Sequence, residues 1–180
     1  MDKESRRQEN LNVFRDTMAI LEQGYFVKNG QRKDLKLTRA QMEEVRVFLP
    51  RDVRAVGEST DFDHVHVIGR CGYSCENMDS FSLAEKQIEM LPQEDEGERI
   101  LVLNLANATH PGGGVRHGAT AQEEDLCRKS SLLISLESRK ASAYYEYNRS
   151  LHTEMGSDAV MIHPQVELSR TRRASCWTNP

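Results

Sequence analysis

The sequence has few cysteines, no long apolar run and no apolar segment at its start. Four cysteines in 180 residues are too few for a disulfide scaffold. No apolar stretch approaches the roughly 20 residues that a membrane span needs. The N-terminus, MDKESRRQEN, is charged from its second residue and lacks the apolar region of a signal peptide. These absences predict a soluble protein of a reducing compartment, either cytoplasmic or, in a eukaryote, nuclear, with no membrane partner.

An excess of positive charge is also absent. The formal net charge is −4 and the isoelectric point is about 5.9, so no overall basic field gathers nucleic acid or an anionic membrane. Hydrophobic residues make up 38% of the chain, which is enough for one core. We therefore expect one domain with a small appendage, a monomer that makes no sequence-specific contact with nucleic acid.

The first 58 residues predict a small leader that consists of helices and a hairpin. Apolar residues at three- and four-residue steps predict an amphipathic helix over residues 5–23. An Asn-Gly turn signal predicts a hairpin over residues 24–37. A capping-box spacing then predicts a second helix from Arg39 to Leu49, followed by a polar connection over residues 50–63.

Residues 59–168 alternate between strand-like and helix-like segments. Apolar runs predict strands at residues 64–69, 100–105 and 158–163. Helices are predicted at residues 82–90, 121–136 and 138–149. This alternation predicts an α/β domain with a mostly parallel sheet. Three clear strands are few for such a sheet, so either the remaining strands come from elsewhere or the chain is cut short. The tail at residues 169–180 is predicted to be irregular.

The stretch Leu103–Ser131 carries most of the chemical information. Asn107 follows the carboxyl end of a predicted buried strand, where open α/β sheets hold their ligands. Gly112, Gly113 and Gly114 have no Cβ, so their backbone N–H groups can touch a bulky anion such as a diphosphate. A patch of small residues then leads into a helix whose N-terminus offers further unpaired N–H groups.

Two carboxylates open that helix. Glu123 and Glu124 follow Gln122, and neighbouring helical residues point about 100° apart. One carboxylate can therefore face the centre of a pocket while the other reaches a sugar hydroxyl. Like charge and burial raise the pKa of such a carboxyl group, whereas the helix dipole lowers it. A protonated glutamic acid is what glycosidic cleavage needs to protonate the leaving oxygen.

The combination of these residues resembles a known family. Gly112-Gly113-Gly114, seven residues and then Gln122-Glu123-Glu124 is similar to the GGG-x(6–8)-QEE signature of poly(ADP-ribose) glycohydrolases. The strings LANATHPGGG and GATAQEEDLCRKSSLL resemble the microbial-type members, which carry a macrodomain fold. The resemblance covers roughly residues 6–168 and is densest from Ile100 to Leu133.

The resemblance implies a three-layer α/β/α macrodomain-like fold at residues 59–168. The implied activity is hydrolysis of ribose–ribose O-glycosidic bonds in poly(ADP-ribose), which releases ADP-ribose and reverses ADP-ribosylation in the DNA damage response. Glu124 would be the catalytic acid, and Glu123 would bind ribose hydroxyls at the scissile unit. Asn107 would orient the distal ribose, and Gln122 would brace the loop. The diphosphate would be held by the backbone of Gly112, Gly113, Gly114 and Val115.

The expected partners are ADP-ribose, its polymer and ADP-ribosylated proteins, and no cofactor or metal is implied. Family members continue past the length of this chain, with further strands and a loop that closes on the adenine end. The family pattern is lost here at about Ser169. Three alternatives therefore remain open: a reader of ADP-ribose without turnover, a hydrolase of mono-ADP-ribose on protein or nucleic acid, and a fragment that does not fold stably.

A zinc site at His64, His66, Cys71 and Cys75 is less expected than ordinary strand and thiol positions.

Overall fold

A computed structural model of the chain describes residues 2–28, 30–59, 72–90, 100–153 and 156–169. The helices are α1 (Lys3–Gln23), α2 (Arg39–Met42), α3 (Pro50–Ser59), α4 (Ser80–Met90), α5 (Gln122–Lys129), α6 (Leu132–Leu136) and α7 (Ser142–Ser150). The strands are β1 (Tyr25–Lys28), β2 (Gln31–Asp34), β3 (Arg46–Phe48) and β4 (Val160–Ile162). The predicted strand at residues 64–69, Cys71 and the residues after Ser169 lie outside the described ranges. None of the described helices is long and apolar enough to cross a bilayer.

The first helix and the hairpin form as the sequence predicts. Asp2 caps α1 by accepting a hydrogen bond from the Ser5 amide at 2.8 Å, and Gly24 ends the helix at a φ of 78°. Strands β1 and β2 then pair antiparallel. These elements are determined by nearby residues, which explains why the local sequence pattern is sufficient to predict them.

The predicted helix from Arg39 to Leu49 is wrong. Helix α2 ends after one turn, and β3 follows it and pairs antiparallel with β4, from Arg46 opposite Ile162 to Phe48 opposite Val160. The distant strand provides pairing that no nearby residue reveals, and it prevails over the local helix signal. Both sheets in the described part of the chain are two-stranded and antiparallel.

Residues 50–59 are helical, whereas a polar connection was expected. Pro50 begins α3, a position where proline is favoured because the first helical N–H needs no partner within the helix. Asp52 reaches back and accepts a hydrogen bond from the Leu49 amide at 2.9 Å. Helix α4 starts two residues earlier than predicted. Its cap is Asp79, which accepts the Ser82 amide at 3.1 Å, instead of the expected capping box that begins at Ser82.

The predicted long helix at residues 121–136 is divided into α5 and α6. Ser130 has an extended backbone with a φ of −152°, and it forms an antiparallel bridge with Leu168. The Ser131 amide donates to the Glu167 carbonyl at 2.9 Å. Pairing with residues 167–169 therefore replaces helical hydrogen bonds at this point. The next predicted helix begins with a 3-10 turn at Arg139–Ala141 and continues as α7.

Residues 100–105, expected to be a buried strand, form no strand within the described ranges. Leu101, Leu103 and Leu105 are 91%, 71% and 69% exposed, and the residues between them are half-buried. This alternation has the period of two that is typical of a strand. The side chains of this segment thus follow a strand pattern although no described strand pairs with it.

One hydrophobic core joins the N-terminal residues to α5, α6 and α7. Phe14 of α1 and Val45 belong to the same cluster as Leu126, Leu133 and Tyr145. In addition, the buried Thr17 hydroxyl of α1 donates to the backbone carbonyl of Arg128 in α5 at 2.7 Å. The predicted boundary near residue 58 therefore divides the sequence but not the hydrophobic core, because residues on both sides of it contribute to the same cluster. Helix α1 packs directly on α5 and on the 3-10 turn at Val115–His117, which places it beside the glycine-rich segment.

Candidate active site

The three glycines form a tight turn against the two carboxylates of α5. Gly112 and Gly113 have φ values of 67° and 52°, which side-chain-bearing residues rarely adopt. A Cβ on Gly113 would lie 2.5 Å from Glu124 Oε1 and 3.4 Å from Glu123 Oε2. The backbone approaches the carboxylates this closely because Gly113 has no side chain. The structure thus brings the glycine-rich and the acidic segments together in one place.

One amide of this turn binds a carboxylate. The Gly114 N–H donates to Glu124 Oε1 at 2.8 Å. Hydrogen bonds from backbone amides stabilise a carboxylate and fix its orientation. The glycine turn therefore orients Glu124.

The remaining amides close the turn itself. Gly113 donates to the His110 carbonyl at 3.0 Å, and the buried Val115 donates to the Gly112 carbonyl at 3.1 Å. The amides of Gly113, Gly114 and Val115, which the sequence pattern assigned to a diphosphate, are therefore bound within the protein in this conformation. Uncapped donors lie at the start of α5, because Ala121 has no side chain that can accept from the first-turn amides.

Glu123 is only 3% exposed and is bound at both of its oxygens. Its Oε2 accepts from the Asn107 amide at 2.9 Å, and its Oε1 accepts a long contact of 3.5 Å from Asn104 Nδ2. Burial raises the pKa of Glu123, and the charge of Glu124 adds to this effect, while the hydrogen bonds from Asn107 and Asn104 oppose it. Glu123 therefore binds a proton at a higher pH than an exposed glutamate does.

Glu124 is 8% exposed, and its two oxygens have different surroundings. Oε1 accepts the Gly114 amide, whereas Oε2 is buried and has no hydrogen-bond partner among the described residues. In a protonated carboxyl group one oxygen carries the proton and the other remains an acceptor. Because Oε1 already accepts from the Gly114 amide, the acid form of Glu124 carries its proton on Oε2. That oxygen can then donate a hydrogen bond to a bound ligand.

Asn107 builds the turn that precedes the glycines. Its Oδ1 accepts from the Thr109 amide at 3.0 Å, from the Thr109 hydroxyl at 3.2 Å and from the His110 amide at 2.8 Å. Three donors converge on one amide oxygen, so the side chain is held in place. None of these bonds uses Nδ2, which leaves that group as the donor for a ligand.

Gln122 joins α5 to the segment at residues 100–106. Its Nε2 donates to the Leu103 carbonyl at 2.7 Å, and its Oε1 accepts from the Leu105 amide at 2.7 Å. The side-chain amide thus pairs with the backbone as a neighbouring strand would. These bonds lie on the segment before the glycine turn, whereas the sequence analysis expected Gln122 to brace the loop itself.

Cys127 lies one turn after Glu124 and is fully buried. A Cβ on Gly112 would lie 3.4 Å from its Sγ, so the thiol packs directly beneath the glycine turn. Burial raises the pKa of the Cys127 thiol, with a further contribution from the charge of Glu123. The thiol is therefore uncharged at neutral pH and supports the turn by packing.

Two further polar residues near the glutamates, Asn104 and Arg128, were not predicted from the sequence. Asn104 Nδ2 contacts Glu123, and its Oδ1 is buried without a hydrogen-bond partner in the described part of the chain. Arg128 is 5% exposed and donates to the Ala119 carbonyl at 2.7 Å. A polar residue within an apolar run was the available signal for Asn104. For Arg128 the signal was its position four residues after Glu124, on the same face of the helix.

Comparison with known proteins identifies the family of this chain. The family model of the microbial-type poly(ADP-ribose) glycohydrolase (PARG) catalytic domain matches residues 15–171. The chain is 25% identical to poly(ADP-ribose) glycohydrolase from Thermomonospora curvata bound to the inhibitor ADP-HPD, with a TM-score of 0.75 over 93% of this chain and 57% of that chain. It is 33% identical to poly(ADP-ribose) glycohydrolase from Deinococcus radiodurans in complex with ADP-ribose, with a TM-score of 0.61 over 76% of this chain and 51% of that chain. Curated protein sequences give no match.

These solved structures are considerably longer than the chain described here. The chain spans 57% of the Thermomonospora protein and 51% of the Deinococcus protein. The similarity extends along nearly the whole of this chain, and it includes the glycine turn and the helix that carries the two glutamates. The chain has the macrodomain-like α/β fold of these neighbours. It belongs to the microbial-type poly(ADP-ribose) glycohydrolase family.

Proposed function

We propose that this chain hydrolyses ribose–ribose O-glycosidic bonds in poly(ADP-ribose) and releases ADP-ribose. The observation that carries the proposal is the position of Glu124, whose Oε1 is held by the Gly114 amide while its buried Oε2 has no partner among the described residues. Family membership supports the same reaction. Two solved neighbours, one bound to ADP-ribose and one bound to ADP-HPD, support the same class of ligand.

Glu124 is the general acid in this proposal. Its Oε2 gives a proton to the leaving ribose oxygen while the glycosidic C–O bond breaks and positive charge develops at the anomeric carbon. Water then adds to that carbon, and the Glu124 carboxylate takes a proton from it, which restores the acid. The Gly114 amide keeps Oε1 as an acceptor throughout, so the proton leaves from and returns to Oε2.

Glu123 and Asn107 bind the sugar in this proposal. Glu123 accepts hydrogen bonds from ribose hydroxyls at the scissile unit, and Asn107 orients the distal ribose through Nδ2. Gln122 holds Leu103 and Leu105, which keeps the segment that carries Asn107 against α5. The side chains of Asn107 and Glu123 already accept hydrogen bonds from backbone amides, so binding of the sugar costs them little conformational entropy.

The diphosphate lies along Gly112, Gly113, Gly114 and Val115 and at the uncapped start of α5. The dipole and the first-turn amides of that helix favour negative charge at this position. The amides of Gly113 and Val115 reach a phosphate only when their hydrogen bonds to His110 and Gly112 lengthen. Binding of the diphosphate is therefore coupled to a small opening of the turn.

We also infer that residues 100–105 and β4 belong to a mostly parallel sheet in a three-layer α/β/α core. Residues 101–106 have the alternating burial of a strand. Together with α4 and residues 159–168 they line an apolar groove of about 690 Å³. Strands of a parallel sheet are covered by apolar side chains on both faces, so an apolar groove beside such a segment supports this arrangement.

The substitution Glu124→Gln tests the proposed function. Glutamine keeps an acceptor oxygen for the Gly114 amide but has no acidic proton. We expect release of ADP-ribose from labelled polymer to fall by about 10²- to 10⁴-fold, the usual contribution of a general acid. The affinity for ADP-ribose, measured by calorimetry, should stay within about threefold, well under the 1.4 kcal/mol of a tenfold change.

Glu43→Gln is the matched control, because Glu43 is a surface glutamate that pairs with Arg39. This variant should retain the parental rate. A parental rate in Glu124→Gln would contradict the role of Glu124 as the acid. A parental chain that binds ADP-ribose without cleaving polymer would be a reader, and one that neither binds nor cleaves would refute the proposed function.

A further inference from the structure

Helix α1 holds the loop between the glycine turn and α5 through two side chains. Arg7 Nε donates to the His117 carbonyl at 2.9 Å, and Asn10 Nδ2 donates to the Gly118 carbonyl at 3.1 Å. Gly118 has a φ of 76°, and a Cβ there would lie 2.7 Å from the backbone carbonyl oxygen of Arg7. The loop backbone therefore lies directly on the backbone of α1.

The next carbonyl of the same loop is held from the other side. Arg128 Nη1 of α5 donates to the Ala119 carbonyl at 2.7 Å, and Arg128 Nη2 contacts Asp125 Oδ1 at 3.3 Å. Three consecutive carbonyls, at residues 117–119, thus each accept a hydrogen bond from a side chain outside the loop. We call Arg7, Asn10 and Arg128 the loop clamp.

The clamped loop in turn fixes the carbonyl of Gly114. The Gly114 carbonyl accepts from the amides of His117 at 2.9 Å and Ala119 at 3.2 Å, and these residues carry two of the three clamped carbonyls. The Gly114 amide belongs to the preceding peptide unit and donates to Glu124 Oε1. Gly114 is therefore held at its carbonyl by residues that are clamped from α1 and from α5, and at its amide by Glu124.

We infer that the loop clamp is a set of positioning residues for Glu124. The clamp fixes the carbonyls of residues 117–119, the amides of that loop fix Gly114, and Gly114 fixes the acid. None of the three clamp side chains contacts Glu123 or Glu124 through a hydrogen bond within the described residues. The effect on turnover rests on the proposed function, whereas the effect on the loop does not.

The substitution Asn10→Asp tests the clamp at its α1 side. Aspartate has nearly the same shape, but its carboxylate cannot donate to the Gly118 carbonyl. We expect amide hydrogen exchange in residues 112–121 to become about tenfold faster, the factor that corresponds to one lost hydrogen bond of about 1.4 kcal/mol. Exchange in α7 should stay at the parental rate, and the turnover number should fall by a similar factor.

Two control variants separate positioning from general packing. Asn12→Asp makes the same change two residues along α1, where Asn12 accepts only from Gln8 on the surface. Thr17→Val removes the buried hydrogen bond from α1 to the backbone carbonyl of Arg128 and the one that Thr17 accepts from Ser169, but it leaves the Arg128 guanidinium on the Ala119 carbonyl. Both controls should leave exchange in residues 112–121 unchanged at a temperature well below unfolding, even where Thr17→Val lowers the global stability.

The outcomes are distinguishable. Equal acceleration of loop exchange in Asn10→Asp and Thr17→Val would show that α1 only packs, and it would overturn the clamp. Unchanged exchange in Asn10→Asp would overturn it as well. If the aspartate variant does not fold, Asn10→Ala removes the donor without adding charge and is read in the same way. Because hydrogen exchange needs no substrate, a parental chain without activity would refute the proposed function but leave this test of the clamp intact.

Discussion

Alanine at position 113 would place a methyl group against the carboxylate of Glu124. Its Cβ would lie 2.5 Å from Glu124 Oε1, a separation that real Cβ atoms do not show, so either the turn or the carboxylate must move. Gly113 also has a φ of 52°, which alanine adopts only under strain. We therefore expect Gly113→Ala to destabilise the protein for two separate reasons.

The magnitude follows from these two contributions. The left-handed backbone costs about 1–2 kcal/mol for a residue with a Cβ. Displacement of Glu124 breaks its hydrogen bond with the Gly114 amide, and hydrogen bonds to charged groups contribute about 1.5–3 kcal/mol. The expected loss in the free energy of unfolding is therefore about 2.5–5 kcal/mol, a large part of the roughly 5–15 kcal/mol typical of a domain.

Gly30→Ala provides the matched control. Gly30 has a φ of 75°, but a Cβ there would meet nothing within 4 Å, so this substitution carries the backbone cost alone. Urea unfolding followed by circular dichroism measures both variants. The loss in the free energy of unfolding should be about 1.5–3 kcal/mol greater for Gly113→Ala than for Gly30→Ala. In a Glu124→Ala background, which removes the contacted carboxylate, this excess should disappear.

If the two glycine variants lose the same free energy of unfolding, the close approach of the turn to Glu124 is refuted. An excess that persists in the Glu124→Ala background would show that Gly113 is constrained by something other than this carboxylate. If the turn tolerates a side chain at position 113, the proposed active site does not require glycine there.

Two further predictions concern buried polar groups outside the active site. Burial lowers the pKa of His163 to about 4 from the usual 6.5, so its contribution to stability is present above pH 6.5 and is lost as the pH falls towards 4. The free energy of unfolding of His163→Asn, measured in urea, should therefore fall by about 2–3 kcal/mol less than that of the parental chain between pH 7 and pH 4.5. Asparagine can keep the hydrogen bond with Ser135, and an equal fall in both chains would contradict the prediction. The buried Tyr145 hydroxyl has no partner among the described residues, so Tyr145→Phe should raise the free energy of unfolding by about 1 kcal/mol, and a loss would show that the hydroxyl is bound.

The sequence predicted elements whose determinants are local and missed those that depend on a distant partner. The apolar stripe and Gly24 were enough for α1, and an Asn-Gly signal was enough for the hairpin. Strand β3 forms because β4, more than one hundred residues later, pairs with it. Residues 167–169 divide α5 from α6 in the same way, by pairing at Ser130 and Ser131. No pattern near these residues contains that information.

The spacing of the glycines and the acids indicated their proximity but not the direction of the amides. A turn of glycines that is separated from two glutamates by only eight residues is close to them in either orientation. Whether its N–H groups point at a ligand or at the protein depends on the loop carbonyls, which are held by Arg7 and Asn10 of a helix that precedes the turn by about one hundred residues. The roles of Glu123 and Glu124 toward a substrate therefore stay predictions that the proposed variants address.

The solvent-facing leucines at residues 101, 103 and 105 have a practical consequence for work with this chain. Environment-sensitive dyes fluoresce when they meet apolar surface, and here such surface is already present in the folded state. A dye-based melting curve would therefore start from a raised baseline, which narrows the rise in signal on unfolding even for a sample that unfolds cooperatively. Spectroscopy of the polypeptide itself is the sounder way to follow its unfolding.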